Sequence, residues 1–285
     1  MYRIAQKRVL NEQVTLMKIE APFIAAKVQA GQFIIYRVDE KGERVPLTVA
    51  DSDKEAGTIT IIFQNVGRST SRLAALNEGD SILDVVGPLG VATEYEKGIK
   101  RVAVVGGGVG CAIAYPQAKK LHNMGVYVDL IAGFRSKDIV IIEDEMRAAS
   151  NELHICTDDG SYGYHGFVTN KLQELIDSGI KYDEVIAIGP VPMMKFVCKV
   201  TEPYGIKTIV SLNPIMVDGT GMCGGCRVTV DGKIRYACVE GPDFDGHKVD
   251  FDELMRRNGT YREIEKAHIC NLTGEVRKYA EYDTH

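Results

Sequence analysis

The sequence predicts a β + α/β protein built in three parts. These are a small antiparallel barrel over residues 1–97, a parallel-sheet domain over 98–213, and a cysteine-rich region over 214–285. Three observations predict it. Short runs rich in β-branched and aromatic residues alternate with turns before residue 97, and strand–helix–strand units follow from Lys100. Three of the seven cysteines then crowd into residues 223–238. At 285 residues and 45% hydrophobic, the chain can bury the cores such an arrangement needs. The net charge of −5 comes with no dense basic run, which argues against nucleic acid as a partner.

In the first part, residues 14–19, 31–38 and 58–63 read as strands, with turns at 39–42 and 77–80. The helical candidate among them is 69–76, stopping before Asn77. In the second part, residues 101–105 form a short buried strand. It runs into Gly106-Gly107-Gly108-Val109-Gly110 and then a helix reaching about Met124. Pro116 is tolerated only in a first turn, so regular helix is expected to begin close to it. Residues 126–132, 153–156 and 184–188 are further strands, with a helix over 169–178. In the third part, 227–230 and 234–237 predict a hairpin turning at Asp231-Gly232. Residues 243–285 read as a charged tail short of apolar residues, lying on a surface or a partner through Ile264, Ile269 and Leu272.

The most specific chemical pattern is Asp218-x4-Cys223-x2-Cys226-x11-Cys238. Thiolates converging on one cluster need a loop that curls around it, and glycine permits the positive φ angles this requires. The hairpin returns Cys238 to the same place. The spacing is that of a plant-type [2Fe–2S] loop with Asp in the first ligand position. A structural zinc site is the alternative, with His268 or Cys270 as fourth ligand. Asp218 as a mere turn cap, with Cys270 as the ligand, is another.

The glycine run after the first parallel strand lets backbone approach a pyrophosphate at a helix N-terminus, although Cys111 stands where a G-x-G-x-x-G would end. A bare strand–helix turn would read the same way. Asp129, taken to lie near the end of the next strand, is either a ribose acceptor or structural. Asp158-Asp159-Gly160-Ser161 and Gly189-Pro190-Val191-Pro192-Met193 also follow strands, where open α/β sheets bind ligands. In the barrel, Pro46-Leu47-Thr48, Asn65, Gly67, Ser69-Thr70-Ser71 and Gly87-Pro88-Leu89-Gly90 are candidate phosphate and flavin contacts, with turn and cap chemistry as the plainer reading.

Barrel, nucleotide domain and cysteine loop, in that order, resemble the ferredoxin–NADP reductase superfamily. Within it the chain resembles the electron-transfer subunits of bacterial dihydroorotate dehydrogenases and of NADH-dependent reduced ferredoxin:NADP oxidoreductases. The stretches TDDGSYGYHGFVT, GPVPMM and MVDGTGMCGGCRV carry the resemblance, which spans nearly the whole chain. It implies FAD at the barrel residues just named and NAD(H) at Gly107, Gly108, Val109, Gly110, Asp158, Asp159, Gly160, Ser161, Gly189, Pro190 and Met193. It further implies a [2Fe–2S] cluster on Asp218, Cys223, Cys226 and Cys238. The dihydroorotate relatives have Cys at the first ligand position, whereas this chain has Asp218. The superfamily's R-x-Y-S/T motif would place Arg at 45, where Val45 stands with Arg44 one residue early.

The implied activity is an NAD(H)-dependent oxidoreductase subunit, with a larger FAD and [4Fe–4S] flavoprotein partner that handles NADP(H) and ferredoxin, and with electron bifurcation. The alternatives are a dihydroorotate dehydrogenase electron-transfer subunit and, from another class, a zinc-stabilised nucleotide-binding regulator without redox activity. No signal peptide or run of 18 apolar residues is apparent, so a cytoplasmic, non-membrane location is expected.

Overall fold

A computed structural model describes residues 1–261 of the chain. The N-terminal part contains β1 (Tyr2–Val9), β2 (Val14–Glu20), α1 (Pro22–Ala25), β3 (Phe33–Arg37), β4 (Val45–Asp53), β5 (Thr58–Gln64), α2 (Arg68–Ala75), β6 (Ser81–Ile82) and β7 (Asp84–Leu89). Its strands form one antiparallel sheet in the order β6-β1-β2-β5-β4-β3-β7, curled into a nearly closed barrel. Ile4, Met17, Ile19, Ile34, Tyr36, Ile59, Ile61 and Phe63 fill its interior, and Leu73 from α2 joins them.

Side-chain alternation explains why some barrel strands are apolar throughout. In β3, Ile34 and Tyr36 point into the barrel, while Phe33 and Ile35 point out and are buried against the cysteine-rich segment. In β5, Ile59, Ile61 and Phe63 face inward, and Ile62 packs outward on the next domain. A strand covered on both faces can be continuously hydrophobic. Fully burying each such side chain contributes about 1.5–3 kcal/mol.

The second sheet has the order β11-β10-β9-β8-β12-β13-β16. Here β8 is Arg101–Gly107, β9 Tyr127–Phe134, β10 Glu152–Thr157, β11 Tyr164–His165, β12 Glu184–Ile188 and β13 Lys207–Ser211. These six are parallel, and β16 (Asp243–Asp245) adds antiparallel to β13. Helix α3 (Gly110–Asn123) and α4 (Glu143–Ala148) cover one face, and α5 (Val168–Asp177) and α6 (Val191–Thr201) cover the other. Between the domains, Lys119 on α3 pairs with Asp51 at 2.8 Å and Arg8 with Glu145 at 2.6 Å. The third part holds the β14 (Arg227–Val230)–β15 (Lys233–Tyr236) hairpin, α7 (Ala237–Glu240) and α8 (Phe251–Asn258).

Three expectations are corrected. Helix α3 begins at Gly110, with Pro116 buried well inside it. Packing of the glycine turn on the sheet sets the helix start, and the hydrogen bond that Pro116 cannot donate is the local cost. Asp129 is not near the end of its strand: it is the third residue of β9, 1% exposed, and paired with Arg101 Nε at 2.7 Å. Burial would raise its pKa, but His154 and Arg101 beside it hold the carboxyl below the usual range, so its role is structural and it cannot reach a ribose at the opposite edge. Nor is the segment from 243 onward a tail throughout. β16 extends the sheet, and α8 buries Phe251 and Leu254 against α6 and β14 because those residues recur at helical spacing. The proposed anchors Ile264, Ile269 and Leu272, and the alternative ligands His268 and Cys270, lie outside the described residues.

Candidate functional site

The C-terminal ends of β8, β9, β10 and β12 open onto a cleft of about 900 Å³. Gly107, Gly108, Val109 and Gly110 form its floor, Asp158 one wall, and Gly189, Pro190 and Met193 the opposite wall. The structure thus brings together all three loops read from the sequence. The turn is tight because nothing larger fits: a Cβ on Gly107 would lie 2.5 Å from Met193 Sδ, and one on Gly110 would lie 2.6 Å from the Ile188 carbonyl oxygen. The N–H of Gly108 donates to the Gly133 carbonyl at 2.8 Å, fixing the turn to β9. The N-terminus of the 14-residue helix α3 ends on the cleft floor, where its dipole favours an anion.

The neighbouring residues Asp159, Gly160 and Ser161 stand beside the cleft and do not line it. The Ser161 hydroxyl and N–H both donate to Asp159 Oδ1, at 2.6 and 2.9 Å. Those two bonds, the hydroxyl foremost, hold the Asp159 carboxyl below the usual range. Asp158 is exposed and belongs to the cleft wall. Sequence reasoning missed the barrel's contribution to the cleft, which comes from Asn11, Gln13, Val14 and Gln64. Gln64 Nε2 donates to Gln13 Oε1 at 2.9 Å across the β2–β5 end. Two amides next to strand ends were the available signal, but polar strand ends are too common to single out.

The barrel residues fall into two groups. Pro46, Leu47 and Thr48 lie on β4 opposite Ile35, Ile34 and Phe33, and Leu89 of β7 pairs with Phe33 from the other side. Thr48, Phe33 and Leu89 therefore form one row, and the Gly87–Gly90 segment shares this corner of the barrel. The second group is at α2. The Thr70 hydroxyl accepts the Val66 and Gly67 N–H groups at 3.1 Å, so it serves its own helix turn. The Ser71 hydroxyl donates to Asn65 Oδ1 at 2.6 Å, and that of Ser69 donates to the Glu43 carboxylate. Gly67 stands at the helix cap with no side chain to offer.

The cysteine loop packs on the first barrel group. Cys226, Ala237 and Cys238 are buried with Phe33 and Ile35, and Leu89 and Met216 pack against them. Cys226 Sγ lies 3.2 Å from Cys238 Sγ, while Cys223 is exposed. Burial, then the adjoining Cys226, pushes the Cys238 thiol up to about 12. Asp218 accepts the Thr220 N–H on Oδ1 and the Cys223 N–H on Oδ2, both at 2.7 Å. The Thr220 bond leads in keeping this carboxyl below the usual range. A carboxylate so held still has acceptor positions free. The residues therefore fit a two-iron cluster, with a close sulfur pair at Cys226/Cys238 and a second pair at Asp218/Cys223. Among the described residues no group of three His, Cys, Asp or Glu side chains is placed to hold a single metal ion, and the zinc alternative's fourth ligands, His268 and Cys270, lie outside those residues.

Comparison with known proteins agrees with this geometry. At 19% identity, a ferredoxin reductase of carbazole 1,9a-dioxygenase superposes with a TM-score of 0.62 over 72% of this chain and 65% of that one, which defines a ferredoxin-reductase-like fold. Residues 213–250 match the family described as the iron–sulfur cluster binding domain of dihydroorotate dehydrogenase B. A Thermotoga maritima protein called dihydroorotate dehydrogenase B (NAD(+)), electron transfer subunit homolog, is 47% identical, with 92% of each chain covered. The Fusobacterium nucleatum electron transfer subunit is 32% identical over 83% of this chain and 92% of its own. The chain belongs to the dihydroorotate dehydrogenase B electron-transfer subunit family. It is also similar to a chain from the structure of the NADH-dependent reduced ferredoxin-NADP oxidoreductase, solved to study flavin-based electron bifurcation. That chain is 43% identical with a TM-score of 0.91, covering 96% of this chain and 98% of its own.

Proposed function

We propose that this chain is the electron-transfer subunit of an NADH-dependent ferredoxin:NADP oxidoreductase, accepting electrons from NADH and passing them to a larger flavoprotein subunit. The observation that carries the reading is the packing of the cysteine loop on β3 and β7. The loop holding the candidate cluster ligands shares a buried contact with Phe33, Ile35 and Leu89, beside the strands assigned to FAD. When bound, a flavin takes electrons in pairs and releases them singly, and a [2Fe–2S] centre carries one at a time.

The chain's own residues supply binding, orientation and exclusion of water. Gly107–Gly110 and the start of α3 take the pyrophosphate of NAD(H), and Asp158 on the cleft wall suits a ribose without a 2′-phosphate. Pro46–Thr48 and Gly87–Gly90 hold the flavin ring end, and the α2 start holds its diphosphate. Asp218, Cys223, Cys226 and Cys238 ligate the cluster. Phe33, 3% exposed, keeps water from the contact between them. No proton-transfer residue is required.

The partner we assign is a larger FAD and [4Fe–4S] flavoprotein handling NADP(H) and ferredoxin. The second reading is a dihydroorotate dehydrogenase complex. The oxidoreductase chain is 43% identical, against 32–33% for several dihydroorotate dehydrogenase electron transfer subunits, and the 47% identical Thermotoga maritima protein is named only a homolog of those subunits. Asp218 in place of Cys favours the first reading. Every described cysteine is free and no described helix is long and apolar enough to cross a membrane, which suits a cytoplasmic setting. Anaerobic purification of the native complex tests all of this. The expected result is flavin and iron–sulfur absorption, faster bleaching by NADH than by NADPH, and an NADP(H)-reactive second subunit. A dihydroorotate-oxidising second subunit would favour the other reading, and a colourless protein would defeat both.

A further inference from the structure

The cleft has two unlike ends. Gly189, Pro190 and Met193 follow β12, and from there the sheet continues through β13 to β16. That side adjoins the barrel corner assigned to the flavin, because Gly241, just before β16, gives its carbonyl to the Val91 N–H at 2.7 Å, directly after Gly87–Gly90. A nicotinamide that reaches the flavin therefore lies at the β12 end. The pyrophosphate crosses the glycine floor, which leaves the adenosine to the opposite end. There Arg135, Asp158 and Phe167 follow the neighbouring strands β9, β10 and β11, and all three line the cleft. The backbone under them is laced together. The N–H of Asp158 donates to the Phe134 carbonyl at 3.0 Å, that of Asp159 to the Arg135 carbonyl at 3.2 Å, and that of Lys137 to the Ser161 hydroxyl at 2.8 Å. The Asp159 carboxylate is taken up by Ser161. Of the two adjacent aspartates, Asp158 is the one that faces the cleft, and the Arg135 side chain comes from the next strand end, about 4.8 Å away along the sheet. Phe167, 61% exposed, offers an open ring on which a purine can stack.

We propose that Asp158 and Arg135 form a selector for the adenosine ribose. The carboxylate holds the 2′-hydroxyl and turns away a 2′-phosphate, and the guanidinium is the partner that phosphate would gain once the carboxylate is removed. The proposal rests on the reading that this cleft takes NAD(H). Its support is that both side chains line one cavity, from adjoining strand ends, at the end of the cleft away from the flavin corner. Both are exposed, on backbone that the laced bonds hold in place. A ribose hydroxyl has a proton to donate to a carboxylate, whereas a phosphate brings acceptor oxygens and about two negative charges. A guanidinium matches those oxygens with paired N–H groups. One carboxylate therefore decides between two nucleotides that differ by one phosphate. With an NADP(H)-handling partner, it keeps the two nucleotides on separate subunits.

The test uses the purified full chain and calorimetric titration of ADP-ribose and 2′-phospho-ADP-ribose, probes that carry the adenosine end without the reacting ring. Wild type should prefer ADP-ribose by about thirtyfold or more, the repulsion of roughly two phosphate charges by one solvent-exposed carboxylate. Asp158→Asn should bind 2′-phospho-ADP-ribose about thirtyfold tighter than wild type does, and ADP-ribose a few-fold weaker. Adding Arg135→Ala to Asp158→Asn should weaken 2′-phospho-ADP-ribose again by about tenfold. The gain in Asp158→Asn should also shrink at high ionic strength. A wild type that binds both probes alike overturns the proposal, as does an Asp158→Asn variant with no gain. A double variant equal to Asp158→Asn overturns it too, since Arg135 would then meet no phosphate. Wild type that binds neither probe overturns the nucleotide reading of the cleft itself, which is a separate outcome.

Discussion

The glycine turn before α3 and the cysteine loop are equally glycine-rich, yet they need glycine for different reasons. In the turn, the constraint is clearance. Gly107 and Gly110 meet Met193 and the Ile188 carbonyl at 2.5 and 2.6 Å from any added Cβ, and neither has a positive φ. In the loop, Gly219 is both left-handed and crowded, with Ile35 and Leu89 carbons at 2.6 and 2.9 Å from any added Cβ, but at Gly224 the constraint is handedness alone. Gly224 has φ +66 and its nearest neighbour, a Tyr236 carbon, is an ordinary 3.8 Å away. Gly107 and Gly110 are fixed by what packs on them and Gly224 by how its backbone curls, although Gly108 of the turn, at φ +57 with no neighbour within 4 Å, is of the Gly224 kind. Gly107 and Gly110 should therefore respond to changes in their neighbours, and Gly224 to changes in its own backbone.

The largest effect tests the loop's purpose. Cys226→Ser or Cys238→Ser should abolish the iron–sulfur absorption and EPR signal, since each removes half of the close sulfur pair. Asp218→Ala should leave a cluster lost to chelator about tenfold faster, and Asp218→Cys should keep it with an altered potential and EPR spectrum. Cys270→Ala should change neither. Loss of the cluster in Cys270→Ala alone would reduce Asp218 to a turn cap.

Next comes the packed turn. Gly110→Ala drives a methyl into backbone that cannot yield and should cost about 3 kcal/mol in denaturant unfolding. Gly107→Ala meets the end of a flexible methionine and should cost about 1 kcal/mol while raising KM for NADH. Adding Met193→Ala should recover that stability, and failure of the rescue would break the clearance argument. An effect of similar size to that at Gly107 belongs to the loop. Gly224→Ala should cost about 1–2 kcal/mol through backbone strain alone, and Gly224→Asn less, with the cluster spectrum unchanged. Equal losses for Ala and Asn would show that space, not handedness, governs this position.

Much of this was legible in the sequence because local pattern and tertiary role coincide. β5, β12 and α5 lie within a residue of their expected bounds, being apolar runs or amphipathic stretches between clear breakers. β1 was illegible because Ile4 is its sole fully buried residue, so no alternation marks it. β16 is three residues long and exists through pairing with β13. The segment after β12 was read as a loop, but Val191 already begins α6, with two prolines in positions a helix start tolerates. In the site, glycines and cysteines announced themselves by spacing. Asn11, Gln13 and Gln64 did not, because their place in the cleft depends on how barrel and sheet meet.

The β16 pairing also bears on the order in which the molecule is made. The edge of β13 finds its partner in Asp243–Asp245, and Gly241 gives its carbonyl to the Val91 N–H at 2.7 Å. Both contacts come after the cysteine loop in the chain, and the second reaches back some 150 residues. During synthesis the loop emerges before the strand that pins it, and β13 waits as an open edge. Long-range pairings of this kind form slowly and leave the unpaired edge exposed to wrong partners. The cysteine loop is therefore held on its C-terminal side by contacts that can form only once residues 241–245 have been made.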